Sequence, residues 1–455
     1  MIHFNQFKLS IIPLLLLGVA GCSSTLNQDF EQLAEASKAG HQTWTYAQTG
    51  ASQVNQLTDL IAIPELSALL HQSFEQNPSL QQTAIALKIA YAQRGVTASD
   101  GIPQLSAGFS ASKEESDEAS YSTDLTVSWE LDLWQKLSDN LRASEMDIAS
   151  STALYQSARD ILGANIMRAW LQINLQQQLV NIESQRLTLL NSNEETILER
   201  YRSGLGELEE LDTAHSSTAS TQATLAEYEE QLAQNKRSLW LLVGLQKQNT
   251  TLQINSEFPD VLLPLATFPE QDLGRRPDLQ SAYFDIVAQE YRTEVAYKAL
   301  LPSISLEVAI TDIASSPTDA LLTSPVWSLL GQLTAPLFQG GELRAEIEIA
   351  ELTTEQKYWA YQDTLLTAVN EVENYLGQEQ SLDKQQQYIN DALASAQQSF
   401  SNYQLKYSQG LVDILDLLTV QQQTFDLQIQ LAQITYNRLI NRIDLGLALG
   451  LGVSS

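Results

Sequence analysis

Two regions of the chain alternate between apolar and polar residues, which is typical of β-strands with two different faces. Between 121 and 133 the odd positions are apolar or aromatic except for one threonine, and the even positions are Ser, Asp, Thr or Glu. Alternation with a period of two places one set of side chains on each face of a sheet. With related runs after Pro103 and Pro302, the pattern predicts strands at about 104–112, 121–134, 303–312 and 326–338.

The predicted strands are long enough to cross a lipid bilayer, which takes about 9–11 tilted residues. Apolar-out, polar-in alternation with aromatic residues near the strand ends is typical of outer-membrane barrels. A soluble sandwich alternates too and remains an alternative. Because four strands cannot close a barrel and lipid does not tolerate open edges, we expect several chains to share one barrel.

Two long segments without proline follow the strand pairs, at 136–201 and 341–407. Both have helical apolar spacing, so each predicts one very long helix. Gly204 and Gly410 come next and permit a turn into a second helix, since glycine readily adopts left-handed backbone conformations. Runs of glutamine on the polar helix faces account for a charged fraction of only 18%.

The same order of elements occurs twice along the chain. Pro78 and Pro277 lie 199 residues apart, whereas Gly204 and Gly410 lie 206 apart, so the offset drifts only slightly. Ordered matches of this kind indicate an internal duplication. We therefore predict a mostly α-helical protein with a transmembrane β-barrel. It contains a duplicated helix–strand–strand–helix–helix unit, at 61–250 and 251–455.

The N-terminus has the pattern of a secretory signal. Residues 1–21 contain no acid and combine a short basic head with an apolar run that is too short to span a membrane. The sequence Val19-Ala20-Gly21-Cys22 resembles a bacterial lipobox, which implies cleavage before Cys22 and covalent lipid on that residue. The alternative is an ordinary signal peptide with an incidental cysteine. On the lipobox interpretation, residues 22–60 form a lipid-anchored segment, and Ser23 favours sorting to the outer membrane.

Charge and composition narrow the function further. The chain has 25 Lys and Arg against 55 Asp and Glu, a formal charge of −30, which argues against nucleic acid as a partner. One cysteine and four scattered histidines provide no metal-site spacing, and we find no nucleophile–base pair, so we expect no enzyme and no cofactor besides the lipid. The alternation places four acids on the predicted barrel lumen, where they favour cations: Asp124, Glu130, Asp132 and Glu307.

Several motifs together resemble the bacterial outer-membrane efflux protein family, the TolC-like channels, in its lipid-anchored drug-efflux branch. These motifs are Gly274-Arg275-Arg276-Pro277-Asp278-Leu279, Pro336-Leu337-Phe338-Gln339-Gly340-Gly341, the strand pairs and the two Tyr-x-x-Gly turns. The resemblance covers residues 61–453. It implies a homotrimer whose twelve-stranded barrel in the outer membrane continues into a long α-barrel in the periplasm of a Gram-negative bacterium. It also implies two partners, a periplasmic adaptor protein and an inner-membrane efflux pump.

The resemblance further implies a periplasmic gate beside the second Tyr-x-x-Gly turn, which is formed by Tyr407 and Gly410. Leu415 matches the apolar gating position, but Thr419 stands where the family has an acid, and Asp413 and Asp416 are nearby replacements. The corresponding turn of the first repeat could add an acidic mouth or could be only a solvated helix end: Tyr201, Gly204, Glu207, Glu209, Glu210 and Asp212.

Three functions remain open from the sequence. The efflux resemblance favours a passive, gated exit duct for drugs or other small molecules. A type I protein-secretion duct would share the architecture. A lipid-anchored coiled-coil envelope scaffold belongs to a different class, and it would leave the alternating strands unexplained. For Arg276-Pro277-Asp278 we favour a structural role, because proline and aspartate both suit the first turn of a helix.

Overall fold

A computed structural model describes residues 29–40, 43–46, 50–61, 63–115, 118–245, 257–267 and 272–453. The predicted signal peptide and Cys22 lie outside these residues. The described chain is mostly helical, with one four-stranded sheet. Its helices are α1 (Phe30–Ala39), α2 (Pro64–Gln76), α3 (Pro78–Ser99), α4 (Lys136–Arg202), α5 (Leu208–Val243), α6 (Pro277–Lys298), α7 (Glu342–Ser408) and α8 (Ile414–Ala448).

The strands are β1 (Gln104–Ser112), β2 (Ser120–Glu130), β3 (Ser303–Ala314) and β4 (Val326–Thr334). The sheet is antiparallel and follows chain order, β1-β2-β3-β4. The predicted first strand is confirmed, and the third extends two residues further than expected. The second and fourth strands each end four residues before their predicted ends.

The early end of β2 corrects the prediction for Asp132, which does not belong to the strand. Its carboxylate accepts hydrogen bonds from the backbone N–H groups of Leu137 at 3.0 Å and Ser138 at 2.8 Å. It therefore satisfies free donors in the first turn of α4, the usual role of an acidic helix cap. Trp134 also leaves the strand alternation, and its indole N–H donates to the carbonyl oxygen of Pro302 at 2.7 Å.

Strand register separates the two faces of the sheet. Asp124 pairs with Gly108 on β1 and with Thr311 on β3, and Ser128 pairs with Glu307, so these residues share one face. That face is mainly hydroxyl, amide and carboxylate. The opposite face is apolar and carries Leu105, Phe109, Leu125, Val127, Trp129, Ile304, Leu306, Val308, Ile310, Trp327, Leu329 and Leu333.

Much of the apolar face is open in this single chain. Trp327 is 74% exposed, Leu333 is 67% exposed and Phe109 is 56% exposed. An exposed apolar surface of this extent marks contact with another molecule or with lipid. Among the described helices, none has a stretch that is both long enough and apolar enough to cross a membrane.

The chain divides into two compact units, and each draws on both halves of the sequence. The first unit contains the sheet and is made of Met1–Ser37, Lys88–Ser151 and Ala282–Gln362. The second unit comprises the remaining segments, Lys38–Leu87, Thr152–Ser281 and Asp363–Ser455. Its largest apolar core combines Leu57, Leu66, Ile166, Met167, Trp170, Leu171, Leu239 and Ile443.

Equivalent contacts in the second unit reproduce the internal duplication. The Asn77 amide donates to the carbonyl oxygen of Leu242 at 2.8 Å, and the Arg276 guanidinium donates to that of Ala448 at 3.1 Å. Asn77 and Arg276 are 199 residues apart, and their acceptors are 206 apart, so both pairs follow the sequence repeat. Asn77 thus joins the start of α3 to the end of α5, and Arg276 joins the start of α6 to the end of α8.

Candidate functional site

The polar face of the sheet brings together three of the four acids that were predicted to lie there. Asp124, Glu130 and Glu307 occupy that face by register. Gly108 lies opposite Asp124, and a Cβ at this position would overlap the Asp124 carboxylate, so glycine makes room for the acid. The Lys136 ammonium lies 2.7 Å from the Glu130 carboxylate and offsets part of its charge. Asp124 and Glu307 therefore carry the least compensated charge of this surface.

Both Tyr-x-x-Gly segments form the same helix-ending turn. The N–H of Gly204 donates to the carbonyl of Tyr201, and that of Leu205 to Arg200, at 3.0 and 2.9 Å. At the second turn Gly410 donates to Tyr407 and Leu411 to Lys406, both at 2.9 Å. This is the Schellman arrangement, which requires a left-handed residue after the helix.

Both turn glycines have a φ of +72°. The predicted reason for glycine at these two positions is therefore confirmed. Each turn reverses the chain from a long helix into a shorter one, α4 into α5 and α7 into α8.

At the second turn, the predicted gating residues cluster at the start of α8. Asp413 is the N-cap residue, and its carboxylate accepts the backbone N–H of Asp416 at 2.9 Å. The Thr419 hydroxyl donates to the carbonyl of Leu415 at 2.9 Å. Leu415 is 38% exposed. The Asp413 carboxylate is thus used to cap α8. Asp416 contributes only its backbone N–H to this cap, so its carboxylate is the acidic group near Leu415 that does not cap the helix.

At the first turn, the four predicted acids surround the start of α5. Glu207 occupies the N-cap position without a side-chain cap bond, and Glu209 and Glu210 lie in the first turn. Acids at this end are favoured by the positive end of the helix dipole. Glu207, Glu209 and Asp212 are exposed, whereas Glu210 is half-buried. The placement is compatible with both an acidic mouth and a solvated helix end.

The structure adds a connection between the turns that the sequence did not indicate. The Arg200 guanidinium donates to the Tyr407 hydroxyl at 3.2 Å and to the carbonyl of Leu205 at 3.4 Å. Beside it, an apolar cluster joins α4, α5 and α8 through Ile197, Ala214, Ile414 and Leu417. The two turns are therefore bound to one another by both a polar and an apolar contact.

A further polar pair lies near the first turn. The His215 ring nitrogen Nδ1 is 2.9 Å from the Glu194 carboxylate. Hydrogen bonds from Thr218 and His215 lower the pKa of Glu194 below its ordinary value, so this acid stays charged near neutral pH. The pair links α4 to α5 within the first repeat.

The Arg-Pro-Asp motif has the structural role that we favoured. Arg276 is 8% exposed and makes a two-bond contact with Asp278, at 3.1 and 2.8 Å. It also lies 2.7 Å from Glu371 of α7, besides the bond to Ala448 at the end of α8. Pro277 begins α6. One buried guanidinium thereby joins three helices.

Among the described residues, no three His, Cys, Asp or Glu side chains are arranged to hold a metal ion. The functional features are instead surfaces and contacts between helices. They consist of a sheet with opposite polar and apolar faces and two matched turns at the ends of very long helices.

Comparisons with known proteins agree with this architecture. The family model described as outer membrane efflux protein matches residues 69–245 and 268–451. The probable outer membrane lipoprotein SilC of Salmonella typhimurium is 26% identical over 401 residues, 86% of each chain. The pyoverdine export outer membrane protein OpmQ of Pseudomonas aeruginosa is 27% identical over 482 residues, 98% of this chain and 97% of OpmQ.

Solved structures share the fold. The open-state outer membrane channel MtrE of Neisseria gonorrhoeae superposes with a TM-score of 0.81 at 21% identity, covering 90% of this chain and 95% of MtrE. The family match spans most of both repeats and favours the efflux interpretation over the scaffold alternative. The chain belongs to the outer membrane efflux protein family, and it is an outer-membrane component of an efflux system.

Proposed function

We propose that this protein is a passive, gated exit duct through which a tripartite pump releases small molecules. The observation that carries the proposal is the sheet, which has one mainly polar and one mainly apolar face, both left open by the single chain. A wet pore needs the polar face, and lipid contact suits the apolar one. The protein itself carries out no chemical reaction.

The sheet edges support a homotrimer. Both β1 and β4 have one unpaired edge in the described chain, and unpaired edges are not tolerated in lipid. Three copies would close a barrel of twelve strands, with Asp124 and Glu307 lining its lumen. The long helices α4 and α7 would continue this barrel into the periplasm, where an adaptor protein and an inner-membrane pump supply substrate and energy.

The two turns and the start of α8 form the proposed gate. Leu415 supplies the apolar constriction, and Asp416 takes the place of the acid that is absent at Thr419. The adaptor would open the gate by binding the separated turns better than the joined ones, because a partner shifts an equilibrium only through such a difference in affinity. The contact between Arg200 and Tyr407 is part of the joined arrangement.

The substrate class is proposed as drugs or other small molecules. OpmQ is named for export of pyoverdine rather than of a protein, and this favours small-molecule cargo over secreted protein for the present chain. The lumen face has many hydroxyl groups and few charges, a lining that holds no solute tightly. Such a surface suits a duct better than a binding site.

Recordings from planar lipid bilayers test the proposal. Purified full-length protein should give a small conductance, and Leu415→Ser should raise it several-fold by widening the constriction. Leu411→Ser provides the matched control, since Leu411 is an exposed leucine of the same turn outside the proposed constriction. Absence of any pore from correctly folded protein would rule out the duct.

A further inference from the structure

A polar cavity of about 280 Å³ lies among α4, α5 and α8 in the second unit. It is separate from the Arg200–Tyr407 contact. Its lining combines Leu190 and Leu418 with side chains that donate hydrogen bonds, among them Arg186, Ser217, Thr221 and Gln421. Ser216, Ser220 and Gln422 are exposed, so the cavity opens to solvent on one side, whereas Thr221 and Gln421 are buried on the other.

The cavity interrupts the apolar packing of the three helices. Towards the turns lies the cluster that contains Ile197, Ala214, Ile414 and Leu417. On the other side lies a second apolar cluster, which is built on Leu175, Leu179 and Ala432. On α4 and α8 the lining residues fall between these clusters in sequence. A polar layer therefore separates two apolar layers.

Gln421 contributes a donor without an acceptor. Its side chain is almost fully buried, with the residue 2% exposed. The Asn193 amide donates to its Oε1 at 3.0 Å, which fixes the orientation of the Gln421 amide. The Nε2 group then has no acceptor in the part of the chain that the structure describes. Buried donors in native proteins are nearly always satisfied. We therefore expect an acceptor for the Gln421 Nε2 group in or beside the cavity.

Arg186 adds positive charge with open donors. Its Nη1 lies 3.6 Å from a carboxylate oxygen of Glu183 and 3.6 Å from one of Asp426. Charge-assisted hydrogen bonds are about 2.7–2.9 Å long, so these carboxylates attract the guanidinium without occupying its N–H groups. Burial raises the pKa of Glu183 above its ordinary value. Asp426 is 47% exposed and is screened by solvent.

We propose that this cavity binds a small oxyanion, such as a carboxylate, phosphate or sulfate group. The lining offers the Arg186 guanidinium, the Gln421 amide and hydroxyl groups, and an oxyanion supplies the acceptors that these donors lack. The cavity volume exceeds that of one inorganic anion and accommodates a small organic acid. Arg186 belongs to the first repeat and Gln421 to the second, so a bound anion ties the two repeats together.

Calorimetric titration of the full-length protein in detergent tests the site. Sodium phosphate, sodium sulfate and sodium acetate are added separately, with sodium chloride holding the ionic strength constant. We expect saturable binding of at least one of them, and a loss of affinity of ten-fold or more in Arg186→Gln. Arg202→Gln is the matched control, because Arg202 is an exposed arginine that pairs with Glu199 on the same helix. It should bind as the unaltered protein does.

Gln421→Glu provides a second variant in case Arg186→Gln fails to fold. It keeps the shape of the side chain but replaces the unpaired donor by a negative charge, so binding should be abolished. The same anions should raise the melting temperature of the unaltered protein and leave that of Gln421→Glu unchanged. Saturable binding by none of the three anions means that water alone fills the cavity, and it overturns the proposal. Undiminished binding by Gln421→Glu overturns it as well.

Discussion

The Arg200 guanidinium donates to the Tyr407 hydroxyl at 3.2 Å and so connects the turn after α4 with the turn after α7. These residues are 207 positions apart, and each lies in the last turns of a helix of 67 residues. The bond therefore joins the two repeats at the point where both long helices end.

Removing this bond should loosen the proposed gate. Tyr407→Phe deletes only the acceptor oxygen, and a hydrogen bond of this kind contributes about 0.5–1.5 kcal/mol to the joined arrangement. We expect a several-fold rise in the open probability of single channels in bilayers. Arg202→Gln is the control, as its exposed pair with Glu199 does not reach the second turn. Equal gating of Tyr407→Phe and the unaltered channel would contradict a role for the bond.

The polar face of the sheet predicts cation selectivity. Asp124→Asn combined with Glu307→Gln removes the two least compensated carboxylates, and we expect the ratio of cation to anion permeability to fall by roughly two-fold or more. Reversal potentials in a salt gradient measure this ratio. Asp132→Asn is the internal control, because Asp132 caps α4 and is not part of the strand face. A selectivity change in that control equal to the double variant would refute the assignment.

The sheet shows why part of the fold was predictable. Alternation in sequence records which side of a strand each residue faces, and the observed register reproduces the expected faces. The same signal overestimated β2: the N–H of Leu131 still donates to the carbonyl oxygen of Ile304, but Leu133 continues the alternation after the chain has left the ladder. There the capping of α4 by Asp132 prevails over strand pairing. Local patterns cannot resolve such a competition.

The contacts between the turns were out of reach for a different reason. Arg200 carries no local sign of its partner, since its bond to Tyr407 depends on the packing of two repeats. The glycine turns were predictable because only their own backbone conformation requires glycine. Gln421 likewise has an ordinary sequence context, and only the packing of three helices reveals its unpaired amide.

Gly450 should be unusually sensitive to substitution. It has a φ of +74°, and a Cβ there would lie 2.9 Å from the backbone of Arg275 and of Arg276. Gly450→Ala therefore combines backbone strain with a clash, and we expect a loss of about 2–4 kcal/mol in the free energy of unfolding.

Gly340→Ala separates the two causes. Gly340 also has a positive φ, +63°, but open space surrounds its Cβ position, so only backbone strain of about 1–2 kcal/mol applies. Denaturant unfolding in detergent, followed by helical circular dichroism, measures both variants. Equal losses would show that the contact with Arg275 and Arg276 relaxes at no cost.

The docking of α1 against α6 in the first unit should depend on pH. The Glu290 carboxylate accepts the backbone N–H of Glu31 at 3.0 Å, at the start of α1. Burial, together with the charges of Asp29 and Glu31, raises the pKa of Glu290 to about 7. A raised acid pKa means that the folded arrangement favours the protonated form. Docking is therefore strongest below the ordinary value of 4.5 and weakens as the pH rises through 7.

Hydrogen exchange measures this dependence directly. After correction for intrinsic exchange rates, amides of residues 31–37 should lose protection between pH 5 and pH 8, by on the order of 1–2 kcal/mol. Glu290→Gln keeps a neutral acceptor at the same position and should remove most of the pH dependence. If that variant retains the full dependence, another group controls the docking of α1.

The N-terminus should carry covalent lipid on Cys22. Cys22 is the only cysteine of the chain, so any lipid attached through a thioether has one possible site. Metabolic labelling with a radioactive fatty acid should mark the expressed protein, and Cys22→Ala should abolish the label while residues 1–21 remain uncleaved. Ser23→Ala serves as the control, because it changes the neighbouring residue and leaves the thiol in place. Persistent labelling of Cys22→Ala would show that the resemblance to a lipobox is misleading.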